Sequence, residues 1–272
     1  QMTITDEGAR VGDIKTAVKA ARIRTACVGC DSRISFGQGG KTVVGPDRVV
    51  PLSRLAAQYE RVKKTIANLS QKGKNTWSQN DLDYWFLHKP VDPEEMGITD
   101  SKHAELFGLL NESPRSVTEI LKALNVYHSV QLNADEFFRQ GLIEQATLTP
   151  TDLLHVNGQM DVWDIDAARQ AIECACHIYD KNPKQFVSDT LEFIVATMVE
   201  EAIVFLARQE DEADLPELVD GDWGRWMLDE AISGKNEYIS VNIASRFPVI
   251  GIGAPAGIFV KKVAESLKAP FV

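Results

Sequence analysis

The sequence has little of what marks membrane-spanning and secreted proteins. No stretch reaches the ~20 uncharged apolar residues of a membrane span, and Asp6, Glu7 and Asp13 fall where a signal peptide needs an apolar run. Only four of the 272 residues are cysteines, and they lie too far apart for a secreted disulfide framework. These absences predict a cytoplasmic protein with reduced thiols.

Basic residues are also in the minority. The chain has 29 Lys and Arg against 39 Asp and Glu, a formal net charge of −10. Nucleic acids and anionic membranes attract basic proteins, so the charge argues against both as partners. Residues 114–124 and 132–143 have the spacing of a winged helix-turn-helix but no basic face, which favours a structural role over DNA binding.

Composition and patterning predict an α/β protein. The hydrophobic content of 44% and charged content of 25% are typical of a folded globular chain. Clusters of β-branched residues at 23–28, 34–36 and 42–44, separated by glycines, predict short strands. A helix is predicted to begin at Ser53, because the following apolar residues lie on one helical face: Leu55, Tyr59, Val62, Ile66 and Leu69.

The middle of the chain is predicted to be helical. Prolines and glycines break residues 80–179 into short segments, and no alternating strand pattern appears among them. Residues 76–181 are therefore predicted to form an all-helical insertion between residues 1–75 and 182–272 of an α/β lobe. Its best-marked helix begins at Thr149, where Pro150 suits the first helical position and Asp152 completes a capping box.

The last third is predicted to contain a long helix and a strand-turn-helix unit. An apolar stripe predicts the helix over residues 184–208. Strands are predicted at 238–243 and 249–252, followed by a helix over 256–267.

The turn between the last strand and helix is the first candidate ligand site. Gly251, Gly253, Ala254, Pro255 and Ala256 are small or helix-initiating residues, so a nucleotide phosphate or base can approach the backbone closely. The spacing also matches a dinucleotide fingerprint, but too few residues follow for a complete mononucleotide unit. A tight turn without a ligand is the structural alternative.

A second candidate is the polar turn at Gly29, Asp31 and Ser32, which could hold a phosphate or a metal-bound water; these are also ordinary turn residues. Two cysteine pairs, 27/30 and 174/176, suggest a zinc site with four thiolate ligands. Residues two apart on a helix point to different sides, however, so we predict no zinc and free thiols. No histidine spacing or nucleophile motif identifies a catalytic residue.

Several of these motifs together resemble one family. The chain is similar to the second half of the hydantoinase A/oxoprolinase family, ATP-dependent cyclic-amide hydrolases related to the acetone carboxylase β-subunits. The resemblance spans nearly the whole chain and is carried by residues 23–25 (IRT), 28–34 (VGCDSRI), 44–51 (VGPDRVVP), 148–158 (LTPTDLLHVNG) and 251–256 (GIGAPA).

The resemblance implies a partial ribonuclease-H-like lobe of the actin and sugar-kinase type, with ATP and Mg²⁺ as cofactors and no zinc. It places the nucleotide against the turn at 251–256, with the turn at 29–32 lining the same cleft. It implies a small cyclic amide or imide as substrate, opened after phosphoryl activation of an amide oxygen. It leaves open a homo-oligomer or a second subunit.

Two departures from the family pattern qualify this implication. Cys30 stands where the family usually has a glycine, which narrows the room for a ligand. The aspartate, glycine and threonine phosphate-binding motifs are absent from these residues, so we expect the chain by itself to lack ATPase activity. The alternative function is a non-catalytic, actin-like nucleotide-binding or assembly subunit, including a role like that of the carboxylase subunits.

Overall fold

A computed structural model describes residues 10–11, 14–15, 25–71, 77–207, 221–253 and 256–272. The protein is a mixed α/β protein, which confirms the predicted class. The structure divides into two compact units with bounds that differ from the predicted segments. The larger unit comprises residues 27–195 and 252–259, and the smaller comprises residues 1–26, 196–251 and 260–272.

The strands are short, and most belong to the larger unit. In chain order they are β1 Arg10–Val11, β2 Ile14–Lys15, β3 Ser32–Phe36, β4 Thr42–Arg48, β5 Val50–Pro51, β6 Tyr84–Phe86, β7 Arg115–Ser116 and β8 Glu144–Thr147.

Helices make up most of the remaining secondary structure. They are α1 Leu52–Gln58, α2 Glu60–Gln71, α3 Ser101–Glu112, α4 Val117–Ala123, α5 Asp135–Arg139, α6 Pro150–Val156, α7 Ile165–Ile178, α8 Pro183–Ala207, α9 Asp222–Ser233 and α10 Lys261–Ser266, with a π-helix at Ala256–Val260.

The largest sheet has four strands in the order β5, β8, β6, β7. Strand β5 runs parallel to β8, whereas β6 is antiparallel to both β8 and β7. Three of these strands lie within residues 76–181, so the prediction of an all-helical insertion there is wrong. The strands are two to four residues long, too short to show alternation, and Tyr84, Trp85 and Phe86 are all buried.

The prediction of strands near residue 40 is confirmed by an antiparallel hairpin of β3 and β4. Ser32 pairs with Arg48 at one end and Phe36 pairs with Thr42 at the other. The predicted strand at 23–28 is wrong for residues 25–28, which form no strand. Cys27 there has a φ of 54°, a left-handed conformation that breaks an extended chain. Residues 23 and 24 lie outside the described part.

The helix predicted from Ser53 onward is two helices. Tyr59 separates α1 from α2 with an extended backbone, φ −128° and ψ 103°. The apolar periodicity continues across this break because Leu55, Val62 and Ile66 all remain buried. The apolar spacing therefore does not reveal the backbone break at Tyr59.

Two other predicted helices are confirmed. Helix α6 begins with Pro150 after the capping residue Thr149, and Asp152 completes the box. Helix α8 is 25 residues long and matches the predicted long helix within a residue at each end. Along the part of the chain that the structure describes, no helix combines the length and apolar character needed to cross a membrane.

The strands predicted in the last third are wrong. Residues 238–243 form no strand, and Val249 makes only an isolated parallel bridge with Phe271. The side chains of Tyr238 and Ile250 are mostly exposed, so no second sheet layer covers them. The predicted helix that follows is confirmed as the π-helix continued by α10.

Candidate functional site

The turn at Gly29, Asp31 and Ser32 precedes strand β3. The Ser32 N–H donates to the Gly29 carbonyl at 3.1 Å, and the Asp31 carbonyl accepts from Val49 N at 2.9 Å. The Asp31 carboxylate is half-buried and pairs with the Arg48 guanidinium at 3.2 Å. Ser32, by contrast, is only 3% exposed. The turn therefore presents a carboxylate and a guanidinium side by side.

This turn is bound to the segment that starts helix α6, more than a hundred residues later. The Cys30 carbonyl accepts two hydrogen bonds from Thr151, one from its N–H at 3.1 Å and one from its hydroxyl at 2.8 Å. The Ile34 N–H donates to the Leu148 carbonyl at 2.8 Å. Residues 28–34 and 148–151 thus form one hydrogen-bonded junction, which we call the motif junction.

Gly45 belongs to a third motif, residues 44–51, which packs next to the same junction. Its φ is +72°, and a Cβ atom at this position would lie 2.1 Å from the Cys27 carbonyl oxygen. No side chain fits at that distance, because the obstacle is backbone. The glycine of residues 44–51 is therefore required for the close approach of strand β4 to the turn.

Asp152 joins the motif junction to the helix that follows β5. Its carboxylate is fully buried and accepts from the N–H and hydroxyl of Thr149, both at 2.9 Å. It also accepts from Leu52 N at 3.3 Å and Ser53 N at 2.8 Å. Burial raises the pKa of Asp152, while hydrogen bonds from Ser53 and Thr149 oppose the rise. One carboxylate therefore satisfies the N-termini of both α1 and α6.

Arg33 connects the junction to the four-stranded sheet. Its guanidinium pairs with the Asp83 carboxylate at 2.8 Å, directly before β6. Burial raises the pKa of Asp83, and the positive charge of Arg33 opposes this effect. The pair lies mostly away from solvent, so it serves as a structural link between β3 and β6.

The four cysteines form no disulfide, and three of them have raised thiol pKa values. Burial raises the pKa of Cys30 to about 11, with Asp31 adding to the rise and a hydrogen bond with Thr151 opposing it. Burial raises the pKa of Cys174 and Cys176 to about 12. Because the thiolate is the nucleophile and metal ligand, these residues are poorly suited to either role near neutral pH. The absence of zinc stays a prediction.

His155 has a structural position at the end of α6. One ring nitrogen, Nδ1, lies 2.7 Å from the Thr151 carbonyl, and Nε2 accepts from Trp163 N at 3.1 Å. The ring also stacks on the indole of Trp163. Donating through Nδ1 and accepting through Nε2 uses both nitrogens of a neutral imidazole, so His155 offers no group to a substrate.

The glycines of the other candidate turn belong to different units. Gly251, in the smaller unit, donates its N–H to the Val272 carbonyl at 3.1 Å. Gly253, in the larger unit, is exposed and has a φ of 101°. A left-handed backbone of this kind favours glycine, as the predicted tight turn requires.

The rest of this turn is only partly described. Ala256 is buried at the first position of the π-helix, and its N–H donates to the Gly253 carbonyl at 3.1 Å. Ala254 and Pro255 lie outside the described residues. The N–H of Ala256 is therefore engaged within the turn, and the binding of a nucleotide at residues 251–256 stays a prediction.

The sequence identified only part of the motif junction. Gly29, Asp31 and Ser32 share a turn, and Asp152 was predicted as a helix cap. Its second contact, with the start of α1, was not predicted. The proximity of Arg48 to Asp31 was also missed, although the register of the β3–β4 hairpin could have indicated it. In the described part of the chain, no three His, Cys, Asp or Glu side chains form a metal-holding group.

Comparison with known proteins adds no relative. No protein-family model, curated protein or solved structure matches this chain. The resemblance to the hydantoinase A/oxoprolinase family therefore stays a prediction carried by the motifs.

Proposed function

We propose that the chain is part of a cytoplasmic, ATP-dependent hydrolase of the hydantoinase/oxoprolinase type, acting on a small cyclic amide or imide. The ribonuclease-H-like lobe is part of this proposal; the α/β class is compatible with it. The four cysteines form no disulfide, which is consistent with a reducing compartment.

One observation carries the proposal: three motifs of the resemblance contact one another. Residues 28–34 are hydrogen-bonded to residues 44–51, through Val49 N and the Asp31 carbonyl, and to residues 148–158, more than a hundred positions later in the chain. The resemblance implies that its motifs meet at one functional surface, and this contact is consistent with that expectation.

The exposed edge of the junction has groups suited to a nucleotide and its metal. The Arg48 guanidinium offers several N–H donors to phosphate oxygens, and the Asp31 carboxylate offers the kind of oxygen that Mg²⁺ prefers. Asp31 would hold Mg²⁺ directly or through bound water. Mg²⁺ would supply charge neutralisation of the phosphates during transfer.

The proposed reaction has a phosphoryl-transfer stage and a hydrolytic stage. The amide oxygen of the ring attacks the γ-phosphorus of ATP, and ADP leaves. Water then attacks the activated ring carbon and the ring C–N bond breaks, which leaves an acyl phosphate and a free nitrogen group that takes up the proton. A second water hydrolyses the acyl phosphate to the carboxylate and phosphate. The products are the ring-opened acid, ADP and phosphate. Positioning and electrostatic stabilisation dominate such a phosphoryl transfer.

The second candidate is a non-catalytic nucleotide-binding or assembly subunit. Exposed apolar side chains in the smaller unit favour it, since surfaces of this kind often make protein contacts. They include Tyr238, which is 92% exposed, and Phe247, which is 66% exposed.

Turnover by the full-length protein separates the two candidates. ADP and ring-opened product would be measured with a panel of cyclic amides and imides, including hydantoin and 5-oxoproline. We expect ADP release that depends on a cyclic amide and matches product formation one to one. Nucleotide binding without any such turnover would favour the assembly subunit. A protein that showed no nucleotide binding and no turnover would contradict both candidates.

A further inference from the structure

A cavity of about 330 Å³ lies beside the β3–β4 hairpin, where the chain passes from α7 into α8. Its walls come from the hairpin, from the connection before α8 and from the first turns of α8. All of them belong to the larger unit. The volume is within the range of small-molecule sites.

Two lysines from separate segments line this cavity. Lys41 comes from the hairpin and Lys181 from the connection before α8. Among the described residues, neither ammonium group forms an ion pair with a carboxylate. The lining has one acidic side chain, Asp189, and the Gln185 amide already donates a hydrogen bond to it. The cavity therefore has a net positive charge from unpaired lysines.

The remaining lining provides an apolar wall and a buried hydroxyl residue. Phe186 is 4% exposed and Phe193 is 50% exposed, two turns apart on α8. Thr190, between them, is 3% exposed. A ligand that satisfied all of these groups would combine a negative charge with an apolar body.

We propose that this cavity binds a small organic anion, with its carboxylate or phosphate between Lys41 and Lys181 and its apolar body against Phe186 and Phe193. The site is separate from the motif junction. Lys41 lies beyond the Phe36 end of strand β3, whereas Asp31 precedes the Ser32 end, and a five-residue strand spans about 13 Å. The proposal therefore goes beyond the nucleotide-dependent function.

Calorimetric titration of the full-length protein with phenyl phosphate and benzoate tests the proposal. We expect at least one probe to bind with a Kd on the order of 1 mM or tighter, which is ordinary for a ligand of this size. Benzyl alcohol, which lacks the charge, should bind at least about tenfold more weakly. Tighter binding of phenyl phosphate would identify a phosphate site, and tighter binding of benzoate a carboxylate site.

The matched variants are the double substitution Lys41→Gln with Lys181→Gln and the control Lys89→Gln, an exposed lysine outside the cavity. The double variant should bind the preferred probe at least about tenfold more weakly, and the control should match wild type. Undetectable binding of both probes to wild type would overturn the proposal. Equal binding of benzyl alcohol, or unchanged affinity in a folded double variant, would also overturn it.

Discussion

Gly45 lies where strand β4 comes closest to the turn that precedes β3. Two separate effects oppose any side chain there: the φ of +72° and the 2.1 Å approach of a Cβ atom to the Cys27 carbonyl oxygen. We predict that Gly45→Ala lowers the free energy of unfolding by about 3 kcal/mol, the sum of a left-handed backbone penalty and steric overlap. Denaturant unfolding would measure it.

Gly39 provides the matched control for this prediction. It has a φ of +65°, yet an added Cβ atom would meet nothing within 4 Å. Gly39→Ala should therefore show the backbone penalty alone, about 1 kcal/mol. Equal losses in the two variants would mean that the close approach to Cys27 is absent in solution.

Asp152 is the buried acidic residue on which two helix starts depend. Asp152→Asn keeps the shape but replaces one acceptor oxygen with a donor that faces other donors. We predict a loss of about 3 kcal/mol in the free energy of unfolding, because buried N–H groups lose their acceptor. Asp47→Asn, at an exposed position, should have almost no effect.

The pH dependence of the Asp152→Asn loss tests the electrostatics of the site. Burial raises the pKa of Asp152, so the folded protein holds this proton more tightly than the unfolded chain does. The stability that this group contributes is then present below its ordinary pKa and is lost as the pH rises through the raised value. The difference between wild type and variant should be larger near pH 4 than near pH 7. A difference that grows with pH would show that the hydrogen bonds outweigh burial.

The sequence predicted the local contact of Asp152 but not the distant ones. A capping box depends on residues three apart, so Thr149 and Asp152 were recognisable. The contacts of Asp152 with Ser53 and of Gly45 with Cys27 exist only because distant segments pack together. The spacing of residues along the chain therefore cannot predict these two contacts.

At the scale of single elements, the start of α6 gives a direct test. Thr149→Ala removes the hydroxyl that donates to Asp152 but leaves the backbone N–H bond. We predict a loss of about 1 kcal/mol in the free energy of unfolding, typical of a helix cap. Thr149→Ser, which keeps the hydroxyl, should recover most of this stability. Identical midpoints for the alanine variant and wild type would contradict the capping role.

Prediction succeeded for the long helix α8 and failed for the shortest strands. Helix α8 was predicted nearly to its ends because its apolar stripe continues over many turns. Strands β6, β7 and β8 were not predicted, because each has at most four residues and their pairing partners are distant in sequence. The break at Tyr59 was missed because buried apolar residues continue at helical spacing on both sides of it.

At the scale of the whole molecule, the α/β class was predictable and the sheet was not. Composition and periodicity indicated both strands and helices, whereas the parallel pairing of β5 with β8 is a tertiary feature. The same limit applies to the site: the sequence supplied the motifs, and the fold brought three of them into one junction.

We propose that the motif junction faces a nucleotide, and Asp31 is the residue whose substitution tests this best. Gly253 serves less well, because its φ of 101° would strain any side chain whether or not a ligand binds. Asp31→Asn preserves shape and loses only an exposed ion pair with Arg48, which contributes little to folding. Asp161→Asn, an exposed carboxylate outside the three motifs, is the matched control.

The most direct test is calorimetric titration of Mg·ATP into the full-length protein and these two variants. We expect Asp31→Asn to weaken the Mg·ATP affinity at least about tenfold and Asp161→Asn to leave it unchanged. Unchanged affinity in a folded Asp31→Asn protein, or no binding of Mg·ATP to wild type, would contradict the proposal that the motif junction faces a nucleotide.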